Sequence, residues 1–295
     1  MNVSFRQLKL FLALSESKSI TAVARRFHVT QPTVSMQLRE LSDAIGLPLY
    51  EMIGKRLNLT AAGEELVLSA RAMVDEWAAY EQRIDAMRGL QRGRLRVAVV
   101  STAKYFVPKL LGEFCRRYPE IDISLEVQNR DGIVQRLRDN RDDLYIMSMP
   151  PKDIDLEQQI FLPNPLLLIA PQNHPLAAKR KVKLAQLSHE RFILREQGSG
   201  TRLACDEFFA QQNFQPLVRL ELGSNEAIKQ SVAAGMGLSV ISRHALTQQL
   251  SDDGVCTLRV DGFPLVSNWS IVHLRGKRLS PIASAFLAYL SVSRS

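Results

Sequence analysis

Three short loops in the C-terminal part of the chain carry residue types that bind small anions. Each follows an apolar run with the character of a strand: Ser101-Thr102-Ala103-Lys104, Gly198-Ser199-Gly200-Thr201-Arg202 and Gly223-Ser224-Asn225-Glu226. Hydroxyls, the backbone amides of a glycine-rich segment and a guanidinium all donate hydrogen bonds to carboxylate or phosphate groups. Ser, Thr and Asn in such positions are also common helix N-caps, so one loop alone does not identify a site. Together the loops predict a site for an anion or a polar metabolite.

A polar helix face near the N-terminus could contact DNA. Thr33, Ser35, Gln37 and Arg39, with Met36 among them, are predicted to lie opposite the apolar stripe of one helix. Gln and Arg can form bidentate contacts with base edges, and small hydroxyls can contact bases or phosphates. The solvated face of a helical protein-interaction module would look similar. Because a short helix and a tight turn precede this face, as in helix-turn-helix proteins, we favour DNA binding.

Caps and apolar spacing indicate the elements that position this face. Ser19 and Thr30 are predicted N-caps, Pro32 fits the first turn of the helix after Thr30, and Gly46 ends that helix. Its apolar stripe consists of Val34, Leu38, Leu41 and Ile45. Beyond Gly46, residues 47–60 predict a two-stranded wing with the basic tip Gly54-Lys55-Arg56 near the phosphate backbone.

One long helix is predicted after Thr60. Its apolar residues alternate at intervals of four and three, which is a heptad repeat, and they are Leu66, Ala70, Met73, Trp77, Tyr80, Ile84 and Met87. An amphipathic helix packed on its own domain is the alternative, but a strict heptad favours a partner helix. We therefore expect a homodimer, with a hinge at Gly89 and Gly93.

Residues 94–295 alternate strands with helices. Strands are predicted at 95–100, 121–127, 144–149, 166–170, 192–194, 218–222, 238–241 and 269–274, and a last helix near 281–290. This alternation predicts a mostly parallel α/β sheet, either one large sheet or two lobes with a cleft between them. Ligands of such sheets collect beyond the carboxyl ends of the strands, where the three polar loops fall.

Composition narrows the classes of protein. The apolar runs are far shorter than the ~18 residues of a membrane span, and the three cysteines of the 295 residues have no metal-ligand spacing. The usual hydrolase, metalloprotease and nucleotide-binding motifs are missing from the sequence. We expect a cytoplasmic protein that is not an enzyme and holds no metal. Its net charge of +8 admits an acidic partner such as nucleic acid.

The N-terminal segment resembles the DNA-binding domain of LysR-type transcriptional regulators. The resemblance rests on residues 6–8, 19–24, 30–35, 41, 46, 49 and 59–63. Further on, residues 100–106, 193–202, 222–235 and 275–281 are similar to the CbbR-type subgroup, which controls carbon-fixation operons. Sulfur-responsive regulators of LysR type share the segment GSGTR and the stretch Glu226-Ala227-Ile228-Lys229.

The resemblance implies a three-part chain. Residues 1–60 would form a winged helix-turn-helix, residues 61–93 a linker helix that dimerises, and residues 94–295 a periplasmic-binding-protein-like effector domain. Lobe I of that domain would comprise residues 94–164 and 268–295, and lobe II residues 165–267. Such proteins are usually homotetramers.

The resemblance also assigns residues to two sites. DNA contacts fall to Thr30, Gln31, Thr33, Ser35, Met36, Gln37 and Arg39 in the recognition helix and to Lys55 and Arg56 in the wing. Effector contacts fall to Ser101, Thr102, Met149, Ser199, Thr201, Arg202, Asn225 and Glu226. Two segments depart from the family: Tyr50-Glu51-Met52 lacks the usual arginine, and Met147-Ser148-Met149 is rich in sulfur.

The leading hypothesis is a regulator that binds double-stranded DNA and responds to a small anionic metabolite, with no other cofactor. CbbR-like proteins respond to phosphorylated sugars, small acids or reduced nicotinamide nucleotides, which the polar loops would suit. A sulfur-responsive LysR-type regulator is the alternative within the family. From another class, the alternative is a small-molecule-binding or enzymatic α/β protein with an accessory helical domain.

Overall fold

The computed structural model describes residues 3–54, 56–87 and 93–292. Two units are distinguished, one that contains residues 1–90 and one that contains most of residues 91–295.

The first unit consists of short helices, a β-hairpin and a long final helix. Its elements are α1 (Phe5–Ser17), α2 (Ile20–Arg26), α3 (Gln31–Ile45), β1 (Tyr50–Ile53), β2 (Arg56–Leu59) and α4 (Ala61–Met87). The two strands are antiparallel, with Ile53 opposite Arg56 at the tip. Apolar side chains of α1, α2, α3, the hairpin and the first half of α4 form one core. The predicted winged helix-turn-helix is therefore confirmed.

Caps fix where α2 and α3 begin and end. Ser19 Oγ accepts a hydrogen bond from the Ala22 amide at 3.3 Å, and Thr30 Oγ1 accepts one from the Thr33 amide at 3.4 Å. Gly46 ends α3 at φ 81°, a left-handed conformation that glycine adopts without a steric penalty. The predicted stripe of α3 faces the core, since Val34, Leu38 and Leu41 are fully buried and Ile45 packs against them.

The second unit alternates strands with helices. Its strands are β3 (Gly93–Val100), β4 (Ile121–Gln128), β5 (Leu144–Met147), β6 (Leu156–Pro163), β7 (Leu166–Pro171), β8 (Arg191–Arg195), β9 (Leu217–Leu222), β10 (Ser239–Ser242), β11 (Val255–Thr257) and β12 (Asn268–Leu274). Its α-helices are α5 (Val107–Arg117), α6 (Arg130–Arg138), α7 (Gly200–Gln211), α8 (Asn225–Ala233) and α9 (Pro281–Val292). Turns of 3₁₀ helix lie at Ser101–Tyr105, Leu184–Leu187, Arg243–Ala245 and Leu250–Asp253.

Lobe I is built on a five-stranded sheet in the order β4-β3-β5-β12-β6. β3 is parallel to β4 and β5, whereas β12 is antiparallel to β5 and β6. Helices α5, α6 and α9 cover the sheet and enclose the largest apolar core, in which Phe114, Trp269 and Phe286 are fully buried.

Lobe II contains a three-stranded antiparallel sheet, β10-β7-β11, and the parallel pair β8-β9. Successive residues of β7 face opposite sides, so Leu168 enters one apolar core and Ile169 the other. The pair β8-β9 joins the other strands through a bridge between Phe192 and Leu238.

The prediction of a mostly parallel sheet is wrong for this unit. The antiparallel pairs are β12 with β5 and β6, and β7 with β10 and β11. These pairs join strands that are far apart in the sequence, so the local alternation of strands and helices does not determine their direction. Two strands were not predicted from the sequence: β6, whose residues are mostly half-buried or exposed, and β11, which is only three residues long.

The chain passes between the lobes twice, once after β6 and once before β12. At this crossing the Asn164 amide donates to the Ser267 carbonyl at 2.8 Å. The side chain of Asn164 is buried, and its Oδ1 accepts from Ser242 Oγ at 2.6 Å. The two connecting segments are thus tied together at a single hinge.

Candidate DNA-binding and effector sites

The recognition helix α3 presents part of its predicted DNA face to solvent. Gln31, Met36 and Arg39 are exposed, and Thr33, Ser35 and Gln37 are half-buried. Gln31 Nε2 donates to Thr21 Oγ1 at 2.5 Å, and Gln37 Nε2 donates to Glu40 Oε2 at 3.0 Å. The exposed Thr30 hydroxyl is occupied as the cap of α3 and lies 2.8 Å from the Thr33 hydroxyl. Of the predicted contacts in α3, Gln31, Met36 and Arg39 are therefore the most accessible to solvent.

The wing places a cation at its tip. Arg56 is exposed at the start of β2, where its side chain can approach a phosphate. Lys55, the other predicted contact in the wing, lies outside the described residues. The wing also exposes the apolar side chains of Met52 and Ile53 to solvent.

We expect Gln31→Ala and Ser35→Ala to lower operator affinity more than non-specific affinity. A contact with a base edge contributes about 1–3 kcal/mol of discrimination. Arg56→Ala should instead weaken binding to every DNA sequence and reduce the slope of log K against log salt by about one, because it removes a phosphate contact. Fluorescence anisotropy on operator and scrambled DNA over a salt series measures both effects. Identical behaviour of the two kinds of variant would contradict the assignment of α3 to base recognition.

The predicted seam of α4 divides into two parts. Leu66 and Ala70 pack into the core of the first unit. Met73, Trp77 and Tyr80 are instead about half exposed, at 56%, 50% and 46%. Ile84 is half-buried, and the side chain of Met87 lies outside the described residues. The Trp77 ring lies against Phe5 of α1, with centroids 5.9 Å apart, yet half of the side chain stays exposed. Large apolar side chains left exposed along one helix face are typical of a helix that pairs with another.

A buried arginine forms the centre of the candidate effector site. Arg195, the last residue of β8, is only 2% exposed. Its Nη1 donates to Thr102 Oγ1 at 3.3 Å and to Asn225 Oδ1 at 3.0 Å, and its Nη2 donates to Ser101 Oγ at 3.2 Å. Asn225 Nδ2 also donates to Thr102 Oγ1, at 3.2 Å. Three predicted effector residues, two from lobe I and one from lobe II, therefore meet at one guanidinium.

The start of α7 forms a second part of the site. Ser199 and Thr201 are buried there, and the Ser199 side chain makes no capping hydrogen bond. The first amides of a helix have no partner within the helix and attract anions. A Cβ atom added at Gly200 would lie 3.2 Å from Ser148 Oγ of lobe I. The helix N-terminus thus lies directly against the opposite lobe.

An open pocket of about 240 Å³ lies beside this contact. Arg130 and Asp131 of lobe I line one side of it, and residues between Gln197 and Asp206 of lobe II line the other. The Asp131 amide donates to the Gly198 carbonyl across the lobes at 3.2 Å. The volume is below the range of about 300–1,000 Å³ for drug-sized ligands, so it suits a small metabolite.

Three other predicted effector residues have different partners. Arg202 pairs with Asp206 and with Glu221, its Nη1 lying 2.7 Å from Glu221 Oε2. The Met149 carbonyl accepts a hydrogen bond from Arg130 Nε at 2.8 Å. Glu226 pairs with Lys104 and Tyr105 rather than with the guanidinium of Arg195. The structure therefore places Arg195 in the cluster and directs the predicted cation, Arg202, towards acidic side chains.

Glu226 ties the 3₁₀ turn of lobe I to α8 of lobe II. Partial burial raises the pKa of its carboxyl, but hydrogen bonds from Tyr105, from its own backbone, from Ser224 and from Lys104 outweigh this effect and lower the pKa to about 2. The carboxylate is therefore charged throughout the physiological pH range. Burial and the bond to this carboxylate raise the pKa of the Tyr105 hydroxyl, which stays protonated as the donor.

Arg195 was not predicted from the sequence, because it ends an apolar run and resembles the flank of a strand. The available signal was its position, since a charged residue at the carboxyl end of a buried strand lies where α/β sheets bind ligands. Burial raises the pKa of the Cys205 thiol, which disfavours a thiolate at that position.

The residues that the structure describes contain no group of three or more His, Cys, Asp or Glu side chains that could hold a metal ion. Among the helices that the structure describes, none combines the length and the apolar character that crossing a membrane requires.

Two family models match the chain. Residues 5–64 match the bacterial regulatory helix-turn-helix protein, lysR family, and residues 88–293 match the LysR substrate binding domain. The fold is shared with the crystal structure of full-length CbnR complexed with its target DNA, which is 24% identical in sequence. The two structures superpose over 99% of this chain and 100% of that chain, with a TM-score of 0.67.

More similar proteins are transcriptional regulators. The HTH-type transcriptional activator CmpR of Synechocystis is 42% identical, over 98% of this chain and 95% of its own length. The RuBisCO operon transcriptional regulator of Allochromatium vinosum is 43% identical, over 98% of this chain and 96% of its own length. The regulatory domain of CcmR from Synechocystis, solved in complex with 2-PG, is 50% identical over 68% of this chain and 97% of its own, with a TM-score of 0.66. The matched models span the helix-turn-helix and both lobes, so the chain belongs to the LysR family of DNA-binding transcriptional regulators.

Proposed function

We propose that this protein regulates carbon-fixation genes in response to a small phosphorylated acid of the class of 2-phosphoglycolate (2-PG), bound between its two lobes. The observation that carries the proposal is the cluster in which Arg195 contacts Ser101, Thr102 and Asn225 from both lobes. The relatives that regulate a RuBisCO operon and the CcmR domain complexed with 2-PG support the gene class and the ligand class.

The chemistry of the site suits such a ligand. A phosphate group is best held by several hydrogen-bond donors and a guanidinium in a site from which water is excluded. Ser101, Thr102, Ser199 and Thr201 supply hydroxyls, the start of α7 supplies backbone amides, and Arg195 supplies the positive charge. Because these groups come from both lobes, a ligand that contacts them favours one relative placement of the lobes. Through that preference it shifts the conformational equilibrium of the protein.

The remaining features fit a regulator that acts on DNA in the cytoplasm. We propose that α3 and the wing contact double-stranded DNA, that α4 pairs two chains, and that the assembled form is a homotetramer. We assign no catalytic step to the effector site and no cofactor besides the small anion.

Two measurements on the full chain test the proposal. A gel shift on the intergenic region beside its own gene should show salt-sensitive binding, because phosphate contacts release counterions. Calorimetry should show 2-PG binding in preference to phosphorylated sugars, 2-oxo acids, reduced nicotinamide nucleotides and sulfate. Failure to bind that DNA would remove the regulatory target, and preferential binding of a sulfur oxyanion would replace the carbon-fixation assignment with sulfur control.

A further inference from the structure

The positive charge of Arg195 already has a negative partner inside the protein. Its Nε donates to Glu196 Oε2 at 2.8 Å and its Nη2 donates to Glu196 Oε1 at 2.9 Å, which is a bidentate pair. The other groups bonded to the guanidinium, Ser101, Thr102 and Asn225, are neutral. Burying an unpaired charge raises the free energy of the folded protein. The carboxylate of Glu196 therefore stabilises the buried guanidinium when no ligand is bound.

The hydroxyl groups around Arg195 retain unused donors. Thr102 Oγ1 accepts hydrogen bonds from both Arg195 and Asn225, so its own hydrogen must point elsewhere. Ser101 Oγ also accepts from Arg195. Within the described part of the chain, neither hydroxyl donates to a protein acceptor. The cluster is therefore organised to donate hydrogen bonds to an oxyanion that lies beside the guanidinium.

The two members of the ion pair differ in accessibility. The side chain of Arg195 is 2% exposed, whereas that of Glu196 is 23% exposed. Glu196 lies next to Gly223, where a Cβ atom would be 3.9 Å from its carboxyl carbon, so no side chain covers it there. Glu196 can consequently rotate into water while Arg195 stays in place, because a carboxylate moved to solvent regains its hydration.

We propose that Glu196 is an internal counter-ion that competes with the effector for Arg195 and thereby sets the charge an effector must carry. Only an anionic group that binds the guanidinium and the two hydroxyls better than this carboxylate can replace it, which selects phosphate esters over weakly charged analogues. This inference rests on the proposed effector site and adds to it a residue that opposes binding.

Glu196→Gln tests the inference, because the amide keeps the size of the side chain and removes its charge. Loss of like-charge repulsion beside the ligand should lower the Kd of 2-PG and of inorganic phosphate by about tenfold in low salt. Glu207→Gln is the matched control, because this substitution removes the same charge from an exposed position on α7 in the same lobe. Its Kd values should stay within about twofold of the parent, because a solvent-exposed charge is strongly screened. Calorimetry on the full chain measures these Kd values for the parent and both variants.

The melting temperature is a second readout, which shows whether Glu196→Gln is still folded. Without ligand, Glu196→Gln should melt at a lower temperature than the parent, because the buried guanidinium loses its counter-ion, and added phosphate should raise its melting temperature more than that of the parent. Glu196→Asp, which keeps the charge on a shorter side chain, should stay closer to the parent in affinity.

The outcomes separate this inference from the proposed function. Equal Kd values for Glu196→Gln and Glu207→Gln, or weaker binding by Glu196→Gln than by the parent, would overturn the competitor role. If the parent fails to bind 2-PG, the proposed effector class fails. The competitor role is then decided by inorganic phosphate alone: tighter binding by Glu196→Gln supports it, and unchanged or undetectable binding rejects it.

Discussion

Trp77→Glu should convert the protein to monomers and lower its affinity for operator DNA by about 100-fold or more. The substitution places a carboxylate in the middle of the exposed apolar face of α4, between Met73 and Tyr80. A buried charge without a partner costs about 3–5 kcal/mol, which is enough to break a helix pair. Linked DNA-binding domains gain about 10²–10⁴ in avidity over separate ones, so operator affinity should fall with the dimer.

Ala72→Glu provides the control for this prediction. Ala72 is also exposed on α4 but lies about a third of a turn away from the centre of the seam, given 3.6 residues per turn. Its oligomeric state by light scattering and its operator affinity should match those of the parent. A Trp77→Glu protein that kept the parent's mass would show that the exposed face of α4 is not the dimer contact.

Arg195→Met should abolish the response to the effector while operator binding is retained. The methionine keeps an apolar stem of similar length and removes the positive charge and five N–H donors. A hydrogen bond to a charged group contributes about 1.5–3 kcal/mol, so the loss of two such bonds should weaken 2-PG binding by about 100-fold or more. The residues predicted to bind DNA belong to a separate unit with its own core, which the substitution leaves intact.

Arg219→Met removes the same charge from the neighbouring strand β9. Its exposed guanidinium donates to the Met236 carbonyl and contacts no residue of the cluster. Calorimetry against 2-PG and anisotropy on operator DNA should distinguish the two variants. Full 2-PG affinity in Arg195→Met would place the anion elsewhere, with the pocket between Arg130 and Asp206 as the next candidate.

The first unit could be predicted from the sequence because its signals are local. A cap at Thr30, a proline in the first turn, an apolar stripe at helical spacing and Gly46 at the end all lie within α3 and define it together. Agreement among such signals is what specifies an element without knowledge of its neighbours. The exposure of Trp77 follows in the same way from the period of α4 alone.

The effector site could be predicted only in part because it depends on contacts between distant segments. Ser101, Thr102 and Asn225 were identified from the polar loops after the strands, and the structure brings them together. The predicted cation was Arg202, which follows a glycine-rich loop, but Asp206 one turn later and Glu221 on β9 hold its guanidinium. Strand direction was likewise unpredictable, because the antiparallel pairs join strands that are far apart in the sequence, such as β5 and β12.

The position of β12 affects how the protein is made. The strand pairs with β5 and β6 in the middle of the lobe I sheet, yet it is synthesised after every strand of lobe II. Until it emerges from the ribosome, the nascent chain carries the fully buried residues of β5, Leu144 to Met147, at an unpaired sheet edge. Lobe II has all its strands earlier and can complete its sheets first. Lobe I therefore keeps an edge open to aggregation until the chain is nearly complete, and a product truncated before residue 268 would lack the strand that pairs with β5.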